Sequence, residues 1–195
     1  MATSASSSSL SPGAISGRAV GAIVARGALA GVAASLAMAI YAMIAAATYQ
    51  HSGFFTPLYH IATTFIAPDT MMTSMQRAAE GSTFYFSVGP AMLGAVVHMM
   101  VGAAYGAIFG VIVQFAKLRG AAVIAAGTVW GAIVFVFSAW IGLPLAAALF
   151  DGGDPIRDMA SMVGYPTFLV EHLLYGIVLG ILVLAMMPAA RSGNR

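Results

Sequence analysis

Four stretches of this chain, residues 27–48, 90–115, 121–141 and 167–187, carry a single ionic side chain between them, Glu171. Each is about twenty residues long or more, and at 1.5 Å per residue each crosses a hydrocarbon core of about 30 Å. The third apolar run can continue past Pro144 to Phe150, and Pro188 closes the fourth. Only 7% of the side chains are charged, against about 25% in soluble domains. So few charges cannot coat a water-facing surface, so lipid is the solvent for most of the chain. The expected fold is all-α: a polytopic membrane protein in which residues 18–190 form one four-transmembrane-helix bundle. A Ser-rich tail over 1–17 precedes it, expected to be disordered, and a short basic tail over 191–195 follows.

The basic residues set the orientation. With the N-terminus inside, Arg18, Arg26, Lys117, Arg119, Arg191 and Arg195 lie on the inner side and only Arg77 and Arg157 on the outer side. That asymmetry predicts both ends on the positive-inside face. The Ser-rich start, followed by Arg18 and Arg26 with no acid before Asp69, also has the profile of an organellar transit peptide. A bacterial inner membrane and an organellar membrane are therefore both open. The net charge of +2 does not point to nucleic acid, because the Lys and Arg residues are scattered at helix ends. Without cysteine there is no disulfide, thiolate metal site or cysteine nucleophile.

The inner turn at 117–120 is short and predicts that the second and third spans are antiparallel neighbours. The outer connection over 49–89 reads as two short helices. Thr56-Pro57 opens the first, with Leu58, Ile61, Ala62, Phe65 and Ile66 on one face; Asp69 caps the second and Gly81 ends it. Helices of this kind lie in the outer interface, which leaves His51 and His60 solvated or interfacial. Asp154-Pro155 opens a further short helix that Gly164 closes. Tyr49, Phe84, Tyr85, Trp140 and Tyr165 fit an outer aromatic belt.

Every span carries glycines four apart: Gly27/Gly31, Gly102/Gly106/Gly110, Gly127/Gly131 and Gly176/Gly180. Lipid supplies no hydrophobic force between helices, so close backbone approach through small residues does much of the packing. Such stripes serve internal packing and a homo-oligomer contact equally well. The second and fourth spans share Tyr-Gly-x-x-x-Gly, at Tyr105–Gly110 and Tyr175–Gly180, which suggests a parallel repeat of the first helix pair in the second. The outer halves carry larger or polar groups, including Tyr41, His98 and His172. A bundle narrow inside and wide outside leaves a crevice open to the outer face.

Ionisable groups within a span are costly and draw functional suspicion. His98 lies about two turns inside the second span, and His172 about one and a half turns inside the fourth, preceded by Glu171. Each shares a face with its own tyrosine, Tyr105 or Tyr175, so the two imidazoles reach one place if those faces meet. His98 and His172 are therefore cofactor-binding candidates, since facing imidazoles ligate a b-type haem from both sides. With Met99 and Met100 they would instead form a soft-metal set for Cu(I), and Met71, Met72 and Met75 add a thioether cluster on the outer side. With Glu171 they would form a proton or small-ligand relay. Against all three stands a structural role, in which a neutral imidazole hydrogen-bonds across helices. Arg157 and Glu171 are candidates for an ion pair at the outer rim, with Asp158 close in sequence.

The chain resembles small bacterial inner-membrane proteins of the YagU-like kind. The likeness rests on Arg26-Gly-Ala-Leu-Ala-Gly31, on His98 ahead of a glycine-rich second span, and on Trp130-Gly131 leading to Gly142-Leu143-Pro144 and then a His in the fourth span. It implies the four-helix architecture and no enzymatic activity. No nucleophile-base set, phosphate loop or zinc-protease helix is visible. The expected function is a non-enzymatic membrane protein, an accessory or assembly subunit of a larger complex or homo-oligomer. The alternative is a binding or transport protein with an outer-side His/Met site for haem, copper or a small solute.

Overall fold

The computed structural model describes residues 17–187, which are helical and contain no strand. The tails expected over 1–17 and 191–195 lie outside the described residues, except Gly17, which begins α1. The elements are α1 (Gly17–Ala47), α2 (Thr56–Ala62), α3 (Asp69–Ala79), α4 (Val88–Phe115), α5 (Ala121–Phe137), a π-turn (Ser138–Gly142), α6 (Leu143–Phe150), α7 (Gly153–Arg157), α8 (Met159–Val163) and α9 (Tyr165–Ala185). Among the described residues, four helices are long and apolar enough to cross a membrane: Val20–Ala47, Val88–Phe115, Ala121–Phe150 and Tyr165–Ala185. The chain is an integral membrane protein of the expected all-α, four-helix kind.

The third span is one continuous helix through Pro144, longer than the 121–141 core of the apolar run. A proline in a helix lacks the N–H for the bond four residues back, and its ring crowds that carbonyl. Here the backbone widens just before it. The Leu143 N–H donates to Ser138 O, five residues back, which makes the single π-turn and lets the helix continue as α6.

Glycines pack the spans in two antiparallel pairs. A Cβ at Gly27 would run into the Gly106 carbonyl, and one at Gly31 into the Gly102 carbonyl. In the second pair, a Cβ at Gly127 would meet the Gly176 carbonyl, and one at Gly131 the His172 carbonyl. The stripes therefore serve internal packing, α1 on α4 and α5 on α9, and the two pairs are built to the same pattern. The pairs join where α1 packs on α9. Ala30, Ala34, Phe109, Val123, Tyr175 and Leu179 fill this inner core.

The second and third spans, α4 and α5, are neighbours as expected, but they meet through side chains rather than by close backbone packing. Their backbones approach each other at few points, and side chains bridge them. Their glycine faces are committed to α1 and α9, and aromatic rings stand between them. Tyr105 meets Trp130 and Phe137 edge to face at 6.4 Å, and Phe109 stacks on Trp130 at 6.3 Å. The two helices splay apart on the side of the bundle that bears α2, α7 and α8.

That end is roofed. α2 packs down onto α4 closely enough that a Cβ at Gly94 would strike the Leu58 carbonyl. The apolar face expected for this helix is divided: Ala62 is buried, Leu58 and Ile61 are part-buried, and Phe65 and Ile66 lie beyond the helix end. The inward face of α2 holds Thr56, Tyr59, His60, Thr63 and Thr64, while Phe65 and Ile66 are exposed. The polar groups find partners inside: the Tyr59 hydroxyl donates to Tyr85 O at 3.0 Å, and the Thr56 and Ser74 hydroxyls bond at 2.8 Å. The outward apolar groups suit lipid. His60 is only 6% exposed, which corrects its placement as a solvated or interfacial residue, whereas His51 is exposed as expected. Trp140 and Tyr165 stack at 5.5 Å on the outside of the bundle, and Tyr49 and Phe84 are exposed, as an aromatic belt requires.

Candidate functional site

Between the splayed outer halves of α4 and α5, beneath the roof, lies a cavity of about 450 Å³. The outer half is hollow, as the side-chain sizes suggested, but α2, α7 and α8 cover it. Tyr105 and Tyr175 lie at the cavity's inner limit, and the Tyr175 hydroxyl donates to Gly102 O at 2.8 Å, crossing from α9 to α4. Apolar side chains such as Met38, Val134, Leu143, Ile156 and Phe168 make most of the wall. Met100, Val101, Phe65 and Phe150 belong to the lining yet are about half exposed. They form a rim on the α4–α6 side, where the outer surfaces of the spans face hydrocarbon.

The cavity collects most of the suspected residues: His98, Glu171 and His172 all line it. Their placement follows from the repeat. Gly102 and His172 hold matching positions in the two helix pairs, as do His98 and Phe168, since Tyr105-Gly106 and Tyr175-Gly176 align. The repeat departs from its pattern at these two levels, so the two histidines approach from different turns. The His172 ring lies against Phe168 at 4.4 Å and Phe135 at 6.0 Å.

Both histidines are oriented by backbone carbonyls. His98 Nε2–H donates to Ser35 O at 3.0 Å, and His172 Nδ1–H donates to Phe168 O at 2.7 Å. A carbonyl only accepts, so these bonds fix which nitrogen holds the proton of the neutral ring. Glu171 is 5% exposed and makes neither a hydrogen bond nor an ion pair within the described residues. The ion pair expected between Arg157 and Glu171 does not form. Arg157 reaches Asp154 at 2.9 Å and Asp158 at 3.0 Å, because its short helix holds both acids beside it at the surface. Asp158 is thus the partner, and Glu171 faces the cavity.

Further polar residues that the sequence did not assign to the site line the cavity: His60, Gln50, Thr64 and Ser138. His60 comes down from α2, its Nε2–H donating to Pro155 O at 2.7 Å and tying the two outer segments together. Burial holds the His60 pKa below the usual 6.5, and the bond to Pro155 opposes that in part. Gln50 donates to Val163 O at 2.8 Å. A signal for His60 was present: Thr56, His60, Thr63 and Thr64 make a polar stripe at helical spacing, which marks a face with inward partners.

The methionine set is not assembled. Met99 Sδ accepts from the Ser35 hydroxyl at 3.2 Å, and Met100 sits on the rim, 59% exposed. Met71 is buried under α3 while Met72 and Met75 are exposed, so the helix divides that trio between two faces. Among the described residues, no group of three or more His, Asp or Glu side chains is gathered closely enough to hold a metal ion. The arrangement is a largely apolar chamber with a few polar groups on its wall. No protein-family model, curated protein or solved structure matches this chain, so its likeness to anything known rests on the residues themselves.

Proposed function

We propose that this protein is a non-enzymatic membrane protein that binds a small, largely apolar molecule in its outer-half cavity and takes it from the surrounding lipid. The cavity itself carries the reading. Its volume of about 450 Å³ lies within the range of small-molecule sites, roughly 300–1,000 Å³, which are mainly apolar with a few placed polar groups. Protein interiors otherwise close to crystal-like density, and an unfilled void of this size is costly. The rim at Phe65, Met100, Val101 and Phe150 supports entry from the bilayer, and the tie from His60 to Pro155 obstructs entry from water. A bacterial inner-membrane location, with the YagU-like resemblance behind it, and an accessory role beside other membrane proteins belong to the same proposal.

An apolar diazirine in lipid nanodiscs tests it. Photolabelling should place adducts on Val134 and Met38, which line the cavity and are almost wholly hidden from outside lipid. Ala146→Phe, which fills the cavity from α6, should remove those adducts and leave labelling of the exposed Ile133 and Leu149 unchanged. Adducts confined to exposed residues in the unaltered protein would defeat the reading.

A further inference from the structure

The cavity's three histidines share one hydrogen-bonding sense. All three donate their single N–H to a backbone carbonyl: His60 to Pro155 O, His98 to Ser35 O and His172 to Phe168 O, at 2.7, 3.0 and 2.7 Å. Each neutral ring then has one nitrogen left, and that nitrogen is a lone pair, an acceptor. None of these three nitrogens has a partner among the described residues. They are also not sealed in, because Trp130 Nε1 is the only fully buried, unpartnered side-chain nitrogen or oxygen among the described residues. The Glu171 carboxyl is unpartnered and unsealed in the same way, and it contributes at least one acceptor oxygen whether or not it holds a proton.

The possible donors are fewer. Thr64 spends its hydroxyl on Ile61 O, Tyr175 spends its hydroxyl on Gly102 O, and Gln50 has an N–H on Val163 O. The hydroxyls of Tyr105 and Ser138 rotate and can serve in either sense. Gln50 keeps a second N–H, but the fixed acceptors are the three histidine lone pairs, set in a wall that is mostly hydrocarbon.

Resting on the binding function proposed above, we infer that the cavity selects a lipid-soluble molecule whose head carries hydroxyl donors, a hydroquinone or a long-chain alcohol, and discriminates against carbonyl heads of the same shape. A carbonyl head brings only lone pairs to a surface of lone pairs, and a buried acceptor left facing another acceptor loses its hydration without replacement. A hydroxyl head supplies the missing hydrogens. A neutral hydroxyl also enters the apolar chamber without the desolvation cost that an ammonium would bear. The lone pairs come from separate helices, α2, α4 and α9, and are not clustered as ion ligands.

The test uses one carbon skeleton in two hydrogen-bonding forms. Decyl hydroquinone and decyl benzoquinone are compared anaerobically as competitors of diazirine labelling at Val134 in nanodiscs, with 1-decanol as a third arm to separate one hydroxyl from two. The hydroquinone should protect Val134 at roughly tenfold lower concentration than the benzoquinone, the worth of one to two net hydrogen bonds. The preference should shrink in His172→Phe and in His98→Phe while Val134 remains labelled without competitor, which shows the cavity intact in the variants. Protection by decanol equal to that by hydroquinone would keep the donor rule and assign a one-hydroxyl head. Equal protection by quinone and hydroquinone, or by neither, with Val134 labelled, would overturn the donor rule and leave the cavity's binding function standing. Absence of labelling at Val134 in the unaltered protein would remove the binding function itself.

Discussion

Replacing Gly106 by alanine adds one methyl group where α1 and α4 touch. The new Cβ would lie 2.6 Å from the Gly31 Cα and closer still to the Gly27 carbonyl oxygen, both backbone atoms that cannot swing aside. Ordinary contact begins near 3.4 Å, so the two helices must part by roughly 1 Å along the crossing. A gap of that size forfeits a quarter to a half of each carbon–carbon well of about 0.1–0.2 kcal/mol. Over roughly fifty such pairs the loss is about 1–5 kcal/mol, a range that brackets the overpacking costs of about 1–3 kcal/mol. Alanine's better helix propensity returns up to about 1 kcal/mol from the middle of the overpacking range, leaving a net loss of about 1–2 kcal/mol. Gly21→Ala on α1 is the control, since nothing lies within 4 Å of its added Cβ; it should be neutral or slightly stabilising. Reversible unfolding in mixed micelles, followed by far-ultraviolet ellipticity, measures both. If Gly106→Ala proves as stable as Gly21→Ala, the glycine contact is not what holds α1 to α4.

The roof should respond to pH. His60 binds protons less readily folded than unfolded, so its contribution is complete above about pH 6.5 and is lost as pH falls below that value. Hydrogen exchange over residues 56–64, corrected for intrinsic rates, should accelerate between about pH 7.5 and pH 5, and His60→Gln should flatten the dependence. The absence of native cysteine makes topology directly readable. Leu118→Cys and Ser161→Cys should react with an impermeant maleimide from opposite sides of the membrane, Leu118→Cys from the positive-inside face. Reaction of both from one side would be incompatible with four crossings.

The spans were legible because lipid imposes a coarse rule, about twenty apolar residues in a row, which 90–115 and 167–187 satisfy without ambiguity. The glycine stripes were legible for the same kind of reason, since a bare Cα every fourth residue marks the line of closest approach. Two features were not. The π-turn before Pro144 depends on whether a helix breaks or widens at a proline, and local sequence does not decide that. The buried polar face of α2 was hidden because apolar Leu58, Ile61 and Phe65 are the more obvious stripe. Beside lipid, the polar stripe through His60 is the one that needs the interior. Within the site, His98, His172 and Glu171 stood out as ionic or polar groups inside spans. The Glu171 pairing failed because Asp154 and Asp158 lie on the same short stretch of chain as Arg157, a contact available before any long-range one forms.

The pairing of α1 with α4 and of α5 with α9 bears on how the protein is made. Spans enter the bilayer in chain order, and each glycine-bearing helix waits there until its counterpart arrives. Because partners are consecutive spans, no more than one helix is ever left waiting during synthesis. A bundle that matched first with third and second with fourth would strand two at once, each with an open small-residue groove able to capture a stranger.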